Sequence, residues 1–372
     1  MMSRTGGIAA MATLVAGLAA PLFHGDAVAA WRPLDIGLWL AALAAGTAAA
    51  LIDRRDAGAA ILALAGAILG AAALTRVLDA GTRGVAAVGL WLGAVVLAVL
   101  AWRAMALFAV LGRKRRGAAL TLAAPVLLLV WTIYLWQLVV VGLQIPRVLL
   151  PPPSDIAAAM VASWHDLALD FVQTFVRAVI PGYIIGCGAG FLVGVLVDRS
   201  PFLQRGLLPL GNLVSALPIV AVAPIMVMWF GFDWQSKAAV VVIMTFFPML
   251  VSTIAGLAAL SRTELDLMRT YAASYGQTLW LARFQAALPF IFNALKINST
   301  LALIGAIVAE FFGTPVVGMG FRISTEVGRM NIAMVWATIV VAAVAGSASY
   351  GALALAERSV TFWHPSLRKV AG

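Results

Sequence analysis

"KAAVVVIMTFFPMLVSTIAGLAA", residues 237–259, carries a charge at its first position and none after it. About 20 apolar residues wound as a helix cross the hydrocarbon core of a bilayer. The stretch therefore reads as a membrane span. Similar runs recur at 7–23, 36–52, 57–78, 85–110, 118–142, 170–197, 209–230, 293–312 and 332–356, which gives about ten transmembrane helices. The whole chain is 63% hydrophobic and only 11% charged, with a mean hydropathy of +1.02, whereas soluble domains are about 25% charged. Backbone groups facing lipid have no water to bond, so the spans must be helical and the predicted class is an all-α polytopic membrane bundle.

Connector charge sets the expected orientation. Arg54 and Arg55, Arg113–Arg116, Arg199 with Arg205, Arg262–Arg283, and Arg368 with Lys369 fall on one side. Lys and Arg gather on cytoplasmic loops, so both termini are expected inside. The net charge of +10 is spread over these connectors rather than along one stripe, which speaks against nucleic acid as a partner. Cys187 is the only cysteine and His24, His165 and His364 lack ligand spacing, so neither an internal disulfide nor a metal site is expected. The first 31 residues resemble a signal peptide, with "AVA" before Ala30. His24 and Asp26 make a poor cleavage region, and the expectation is an uncleaved first span. Pro151–Pro153 stops a helix in the outer connector, and Ser154 with Asp155 suits the cap of a short one after it.

One segment breaks the apolar rhythm: "ELDLMRTYAASYGQTLWLARFQAALP", Glu264–Pro289. Leu265, Met268, Tyr271, Tyr275, Leu279 and Ala282 fall at helical spacing on one stripe, with Arg262, Asp266, Arg269 and Arg283 largely off it. It reads as an amphipathic helix on the cytoplasmic side. Such a helix either rests on headgroups or is presented to a partner, and a rigid piece between two spans transmits a push to both.

Residues 118–368 resemble the membrane permease subunit of binding-protein-dependent ABC importers. The resemblance is carried by "LLPPPSDIAAAM", "SALPIVAVAPIMVMWFGFDWQSK", "FFPMLVSTIAGL", "AALPFIFNALKI" and "AEFFGTPVVGMGF". The nearest branches transport pyrimidines, thiamine precursors and riboflavin, followed by sulfonates, taurine and nitrate. The resemblance implies a six-helix type I permease core over 118–372, preceded by a hydrophobic extension of about four spans over 1–117. It also implies two ATPase subunits, a periplasmic binding protein, a second permease copy and surrounding inner-membrane lipid. No cofactor is implied.

The family's coupling loop has a Glu-Ala-Ala triplet, a later Gly and a Leu-Pro. Ungapped placement puts the triplet on Asp266, Leu267 and Met268, followed by Arg269 and Tyr271. The Gly falls on Ala272 and the Leu-Pro on Phe284 and Gln285, while Ala286–Pro289 is intact. Asp266 is also expected to serve the helix start. Prolines in a span free carbonyls to face a cavity, so Asn212, Ser215, Pro218, Met226 and Trp229 are candidate substrate-path residues. Glu310, an acid inside an apolar run, joins them. Lys296 is expected to snorkel toward the inner surface.

The sequence has no G-x-x-x-x-G-K-[ST] phosphate loop and no paired nucleophile and base within its spans, so ATP hydrolysis falls to another subunit and no catalytic residue is expected. A secondary transporter would show inverted repeats with broken helices in both halves, a pattern missing here.

Overall fold

The structure is a computed structural model. It describes residues 23–24, 33–51, 57–80, 85–86, 88–115, 118–200, 202–203, 205–206, 218–313 and 316–363. The expected span 7–23 lies almost wholly outside them, as does the first half of 209–230. By its contacts the chain divides into two compact units, residues 1–155 and 156–372.

The first unit holds α1 (Pro33–Leu51), α2 (Ala57–Ala80), α3 (Val88–Arg115) and α4 (Ala118–Gly142). Two two-residue strands, Phe23–His24 and Val85–Ala86, pair antiparallel beside them. Trp39, Leu74, Leu90, Leu97 and Leu138 form its larger core. Ala49, Ala59, Ala60, Ala63 and Ala104 form a second one, where methyl-sized side chains let the helices close up. The buried Asp35 pairs with Arg76 at 2.9 Å. Helix α4, which the resemblance assigns to the permease core, packs here, and its Tyr134 hydroxyl donates to Ala71 O at 3.2 Å. The contact division thus follows α4, whereas the division by resemblance at 117/118 precedes it. Helix α5 (Pro153–Ala162) begins at Pro153, as suits a residue without an N–H. Ser154 therefore lies in its first turn, bonded to Gln137 rather than capping.

The second unit is the larger. Helix α6 (Trp164–Phe171) runs through a π-wound segment, Val172–Val179, into α7 (Ile180–Asp198). Then come α8 (Ile219–Phe230), α9 (Trp234–Leu257), α10 (Arg262–Thr270), α11 (Tyr275–Thr278), a π turn at Leu279–Arg283 and α12 (Phe284–Glu310). Helices α13 (Met319–Gly328) and α14 (Ile332–Val360) end it. Among the described residues seven helical stretches are long and apolar enough to span, and Pro33–Ala49 and Val220–Phe230 are shorter ones. Two spans exceed their sequence limits: Trp164–Asp198 covers 35 residues and Tyr275–Glu310 covers 36. At 1.5 Å per residue both outrun a ~30 Å core, so their polar ends project beyond it. The second runs through Pro289 instead of ending there. The π turn at Leu279–Arg283 ends six residues before that proline.

Helices α7 and α9 pack closely in this unit. Gly182, Gly186, Gly190 and Gly194 recur every fourth residue, on one face of α7. A methyl added at Gly182 would stand 2.7 Å from Ala238 O, at Gly186 2.9 Å from Val242 Cα, and at Gly194 2.8 Å from Thr253 Cβ. At Gly190 it would run into the Phe246 carbonyl. Cys187 lies buried beside the stripe, a small packing residue. Gly188 faces away, with nothing within 4 Å of an added methyl.

Gly190→Leu should therefore lower the stability of the purified protein by about 1–3 kcal/mol, the usual cost of overpacking. Gly188→Ala should leave thermal unfolding unchanged. Equal effects at the two positions would contradict this packing.

Candidate functional site

The segment after α9 is an elbow of two helices rather than one. Ser261 caps α10 in a reciprocal box with Glu264. The Ser261 hydroxyl and then its backbone N–H hold the Glu264 carboxyl below its ordinary pKa. Glu264 is therefore the acid at the helix start, and Asp266 lies two residues further in, paired with Arg269 at 3.2 Å. The helix ends because Ala272 turns left-handed at φ 51°. Ala272 N donates to Arg269 O at 2.9 Å and Ala273 N to Met268 O at 3.0 Å, the two bonds of a Schellman cap. Ala272 therefore stands where a glycine is favoured, which is also where the resemblance places its Gly. A second reciprocal box, Ser274 with Gln277, restarts the chain as α11. The expectation of a continuous helix from Glu264 to Pro289 is thus corrected by two capping boxes and one left-handed residue.

No residue of α10 is buried. Tyr271 is 76% exposed, and Leu267, Trp280 and Leu281 are also exposed large apolar side chains. Leu265, Met268, Leu279 and Ala282 of the expected stripe are half-buried, Gln285 is exposed and Pro289 half-buried. What fastens the elbow is Arg283. Its Nη1 lies 2.5 Å from Asp198 Oδ2 and its Nη2 3.2 Å from Oδ1, while Nε donates to Leu257 O at 3.1 Å. Tyr275 adds a hydroxyl bond to Asp198 at 3.3 Å and takes the Arg199 guanidinium 4.9 Å from its ring centre. The intact Ala-Ala-Leu-Pro packs Ala287 onto Gly256, where an added methyl would stand 3.0 Å from Ala287 Cα. A bidentate arginine thus ties the elbow to the ends of α7 and α9 together. The sequence placed Arg283 off the apolar stripe but offered no partner, since Asp198 is 85 residues away.

The candidate substrate-path residues separate. Asn212 and Ser215 lie outside the described residues. Pro218 is the exposed residue that opens α8. Met226 is buried against Ala223, Val240 and Ala309, a packing position. Trp229 is 72% exposed, as are its neighbours Met228 and Phe230 in large part. Glu310 is 3% exposed. It accepts from Thr174 Oγ1 at 2.7 Å and from Gly320 N at 2.6 Å.

Glu310 belongs to a buried latch. Asp170 accepts from Gly318 N at 2.8 Å and pairs with Arg322 at 2.7 Å, and Met319 N donates to Thr174 at 2.8 Å. Three side chains thus satisfy the first N–H groups of α13, which a buried helix start requires. The hydrogen bond to Asp170 raises the Arg322 pKa above its ordinary value. Lys296 does not reach toward the surface but pairs with Glu357 of α14 at 2.7 Å.

A left-handed alanine costs roughly 1–2 kcal/mol that a glycine avoids. Ala272→Gly should therefore slow amide exchange across α10, and Ala272→Val should speed it. Faster exchange in the glycine variant would mean the elbow is not under this strain.

Comparison with known proteins gives this geometry its setting. The family described as "Binding-protein-dependent transport system inner membrane component" matches residues 182–362, from α7 to the end of α14. A formylaminopyrimidine transport permease of Halalkalibacterium halodurans is 28% identical over 243 residues, 64% of this chain and 95% of the relative. A riboflavin transport system permease of Chloroflexus aurantiacus is 26% identical over 249 residues, 66% and 91% of the two chains. A taurine transport system permease of Escherichia coli is 26% identical over 250 residues, 64% and 87%. The family match covers the glycine stripe of α7, the elbow and α12–α14, and together with these relatives it supports a permease of the binding-protein-dependent ABC importer type.

Proposed function

We propose that this chain forms the substrate pathway of an ATP-driven importer in a bacterial inner membrane, with both termini and the α10–α11 elbow on the cytoplasmic side. It works as a homodimer with two ATPase subunits, which bind at the elbows, and takes its cargo from a periplasmic binding protein. The observation that carries this reading is the elbow itself. Tyr271 and Leu267 are exposed on a helix with no fully buried residue, while Arg283 ties the same segment to two spans. Closure of the ATPase pair would push on α10, and the tether would pass the push to α7 and α9. Each state of the permease would then be favoured by different contacts, the condition for coupling.

For the cargo, the stretches "ALPIVAVAPIMVMWFGF" and "AEFFGTPVVGMGF" support a pyrimidine, thiamine-precursor or riboflavin-like compound. The exposed Arg177 on the π-wound segment supports a second reading, an anion such as a sulfonate, taurine or nitrate. The 1–117 extension, rich in small residues, has a peripheral role in assembly or stability.

Co-purification tests the docking. Tyr271→Arg should place a charge in the contact and lose most of the bound ATPase, with normal insertion of the permease, because breaking such a contact costs a few kcal/mol. The permease alone should hydrolyse no ATP. Unchanged ATPase recovery with unchanged uptake would reduce the elbow to a connector, and hydrolysis by the single chain would overturn the assignment.

A further inference from the structure

Arg177 is a charged side chain that neither the elbow nor the latch uses. It lies on the π-wound segment Val172–Val179, on the same continuous helix as Asp198. At the helical rise the two are about 30 Å apart, so Arg177 sits at the far end of the span from the elbow. Wide π turns inside α-helices recur at functional sites. This one sets Gln173 and Arg177 one turn apart, with Arg177 Nη1 donating to Gln173 Oε1 at 3.1 Å. Gln173 Nε2 in turn donates to Asp233 Oδ1 at 3.2 Å. Asp233 is already engaged as the cap of α9, accepting from Trp234 N at 2.8 Å. Among the described residues, no carboxylate forms an ion pair with Arg177.

These three polar groups line a cavity of about 700 Å³ together with Leu169, Val172 and Phe232. That volume suits a small organic molecule, and mostly apolar walls with a few fixed polar groups are how such sites are built. A guanidinium carries five N–H donors in a planar fork and accepts nothing. The bond to Gln173 fixes the fork's direction and leaves most of its donors to the cavity. With no carboxylate paired to it among the described residues, the exposed guanidinium has donors open to an anion. Asp233 also lines the cavity, where its Oδ1 accepts from both Gln173 Nε2 and Trp234 N.

We propose that this cavity is the outer entry site of the pathway and that it takes an organic anion. A sulfonate, carboxylate or phosphate would sit on the Arg177 fork, with the apolar part of the molecule against Phe232 and Val172. The inference rests on reading the chain as an importer permease and narrows its cargo. A lipid headgroup phosphate offers the same oxygen chemistry to the same fork, so the test must separate a soluble anion from a lipid.

Full-length permease with Val172→Cys, in phosphatidylcholine liposomes, is labelled from outside with 2-sulfonatoethyl methanethiosulfonate and with its trimethylammonioethyl counterpart. Cys187 is buried, and the chain without the added cysteine serves as the blank. One unit charge at cavity distances changes a local ion concentration by about fivefold, so Arg177→Gln should slow the anionic reagent by about that factor without slowing the cationic one. Arg177→Lys should keep most of the acceleration. Millimolar ethanesulfonate should slow labelling when Arg177 is present and not in Arg177→Gln, and uncharged ethyl methyl sulfone should do nothing.

Equal anionic rates with and without Arg177, or no labelling by either reagent, would overturn the proposal. Protection by phosphatidylglycerol in the liposome but not by ethanesulfonate would assign the fork to a lipid and also overturn it. None of these readouts needs ATP, whereas the permease reading stands or falls on ATP-driven uptake, so the two failures are distinguishable.

Discussion

Four glycines on α7 let it lie directly against the backbone of α9, and most of the second unit depends on that contact. In lipid there is no hydrophobic drive to bring helices together, because acyl chains are as apolar as leucine. Close packing and interhelical hydrogen bonds must supply the association instead. Gly182, Gly186, Gly190 and Gly194 give α7 a smooth face over nearly its full length. With the two spans fixed, each end carries its own polar device. Asp170 and Thr174, upstream of α7 on the same helix, join Glu310 in holding the start of α13. At the other end Asp198 and Leu257 O hold Arg283.

The charges buried in this unit follow one rule. Removing water from an ion is expensive unless a partner and hydrogen bonds replace it. Asp198 has Arg283, Asp170 has Arg322 and Glu357 has Lys296. The side chain of Lys237, almost wholly enclosed, donates to Phe232 O at 2.6 Å. Arg177 stands apart because it is exposed, forms no ion pair among the described residues and lines an open cavity. That contrast between charges spent on structure and one turned toward a cavity marks where cargo chemistry is most economically sought.

The spans were legible because their composition leaves no other fold. The elbow was legible as an amphipathic interruption, since polar residues at helical spacing between two spans have no other explanation. Its shape was hidden: the break falls at Ala272, and an alanine gives no local signal for a left-handed turn that glycine would have announced. Ser274 and Gln277 are a capping box in plain view, and weighing them would have placed the restart. The glycine stripe was also readable as a period of four but is easily taken for general small-residue content. Glu310 was legible only as an acid inside an apolar run, and it lies buried. Its partners could not be inferred, because Thr174 is 136 residues away and the other is a backbone N–H. Arg177 passes unnoticed in sequence because its meaning comes from Asp233, 56 positions on, through Gln173.

The central claim is that Arg283 joins the elbow to the spans through Asp198. A double-mutant cycle in the assembled transporter tests it most directly, with Asp198→Asn, Arg283→Gln and the pair, measuring ATP hydrolysis and uptake together. If the two residues act as one tether, each single change should leave ATP hydrolysis largely intact while uptake falls. The double variant should then be no worse than either alone, the non-additivity expected of groups in direct contact. Additive losses, or hydrolysis and uptake falling in parallel, would contradict the account.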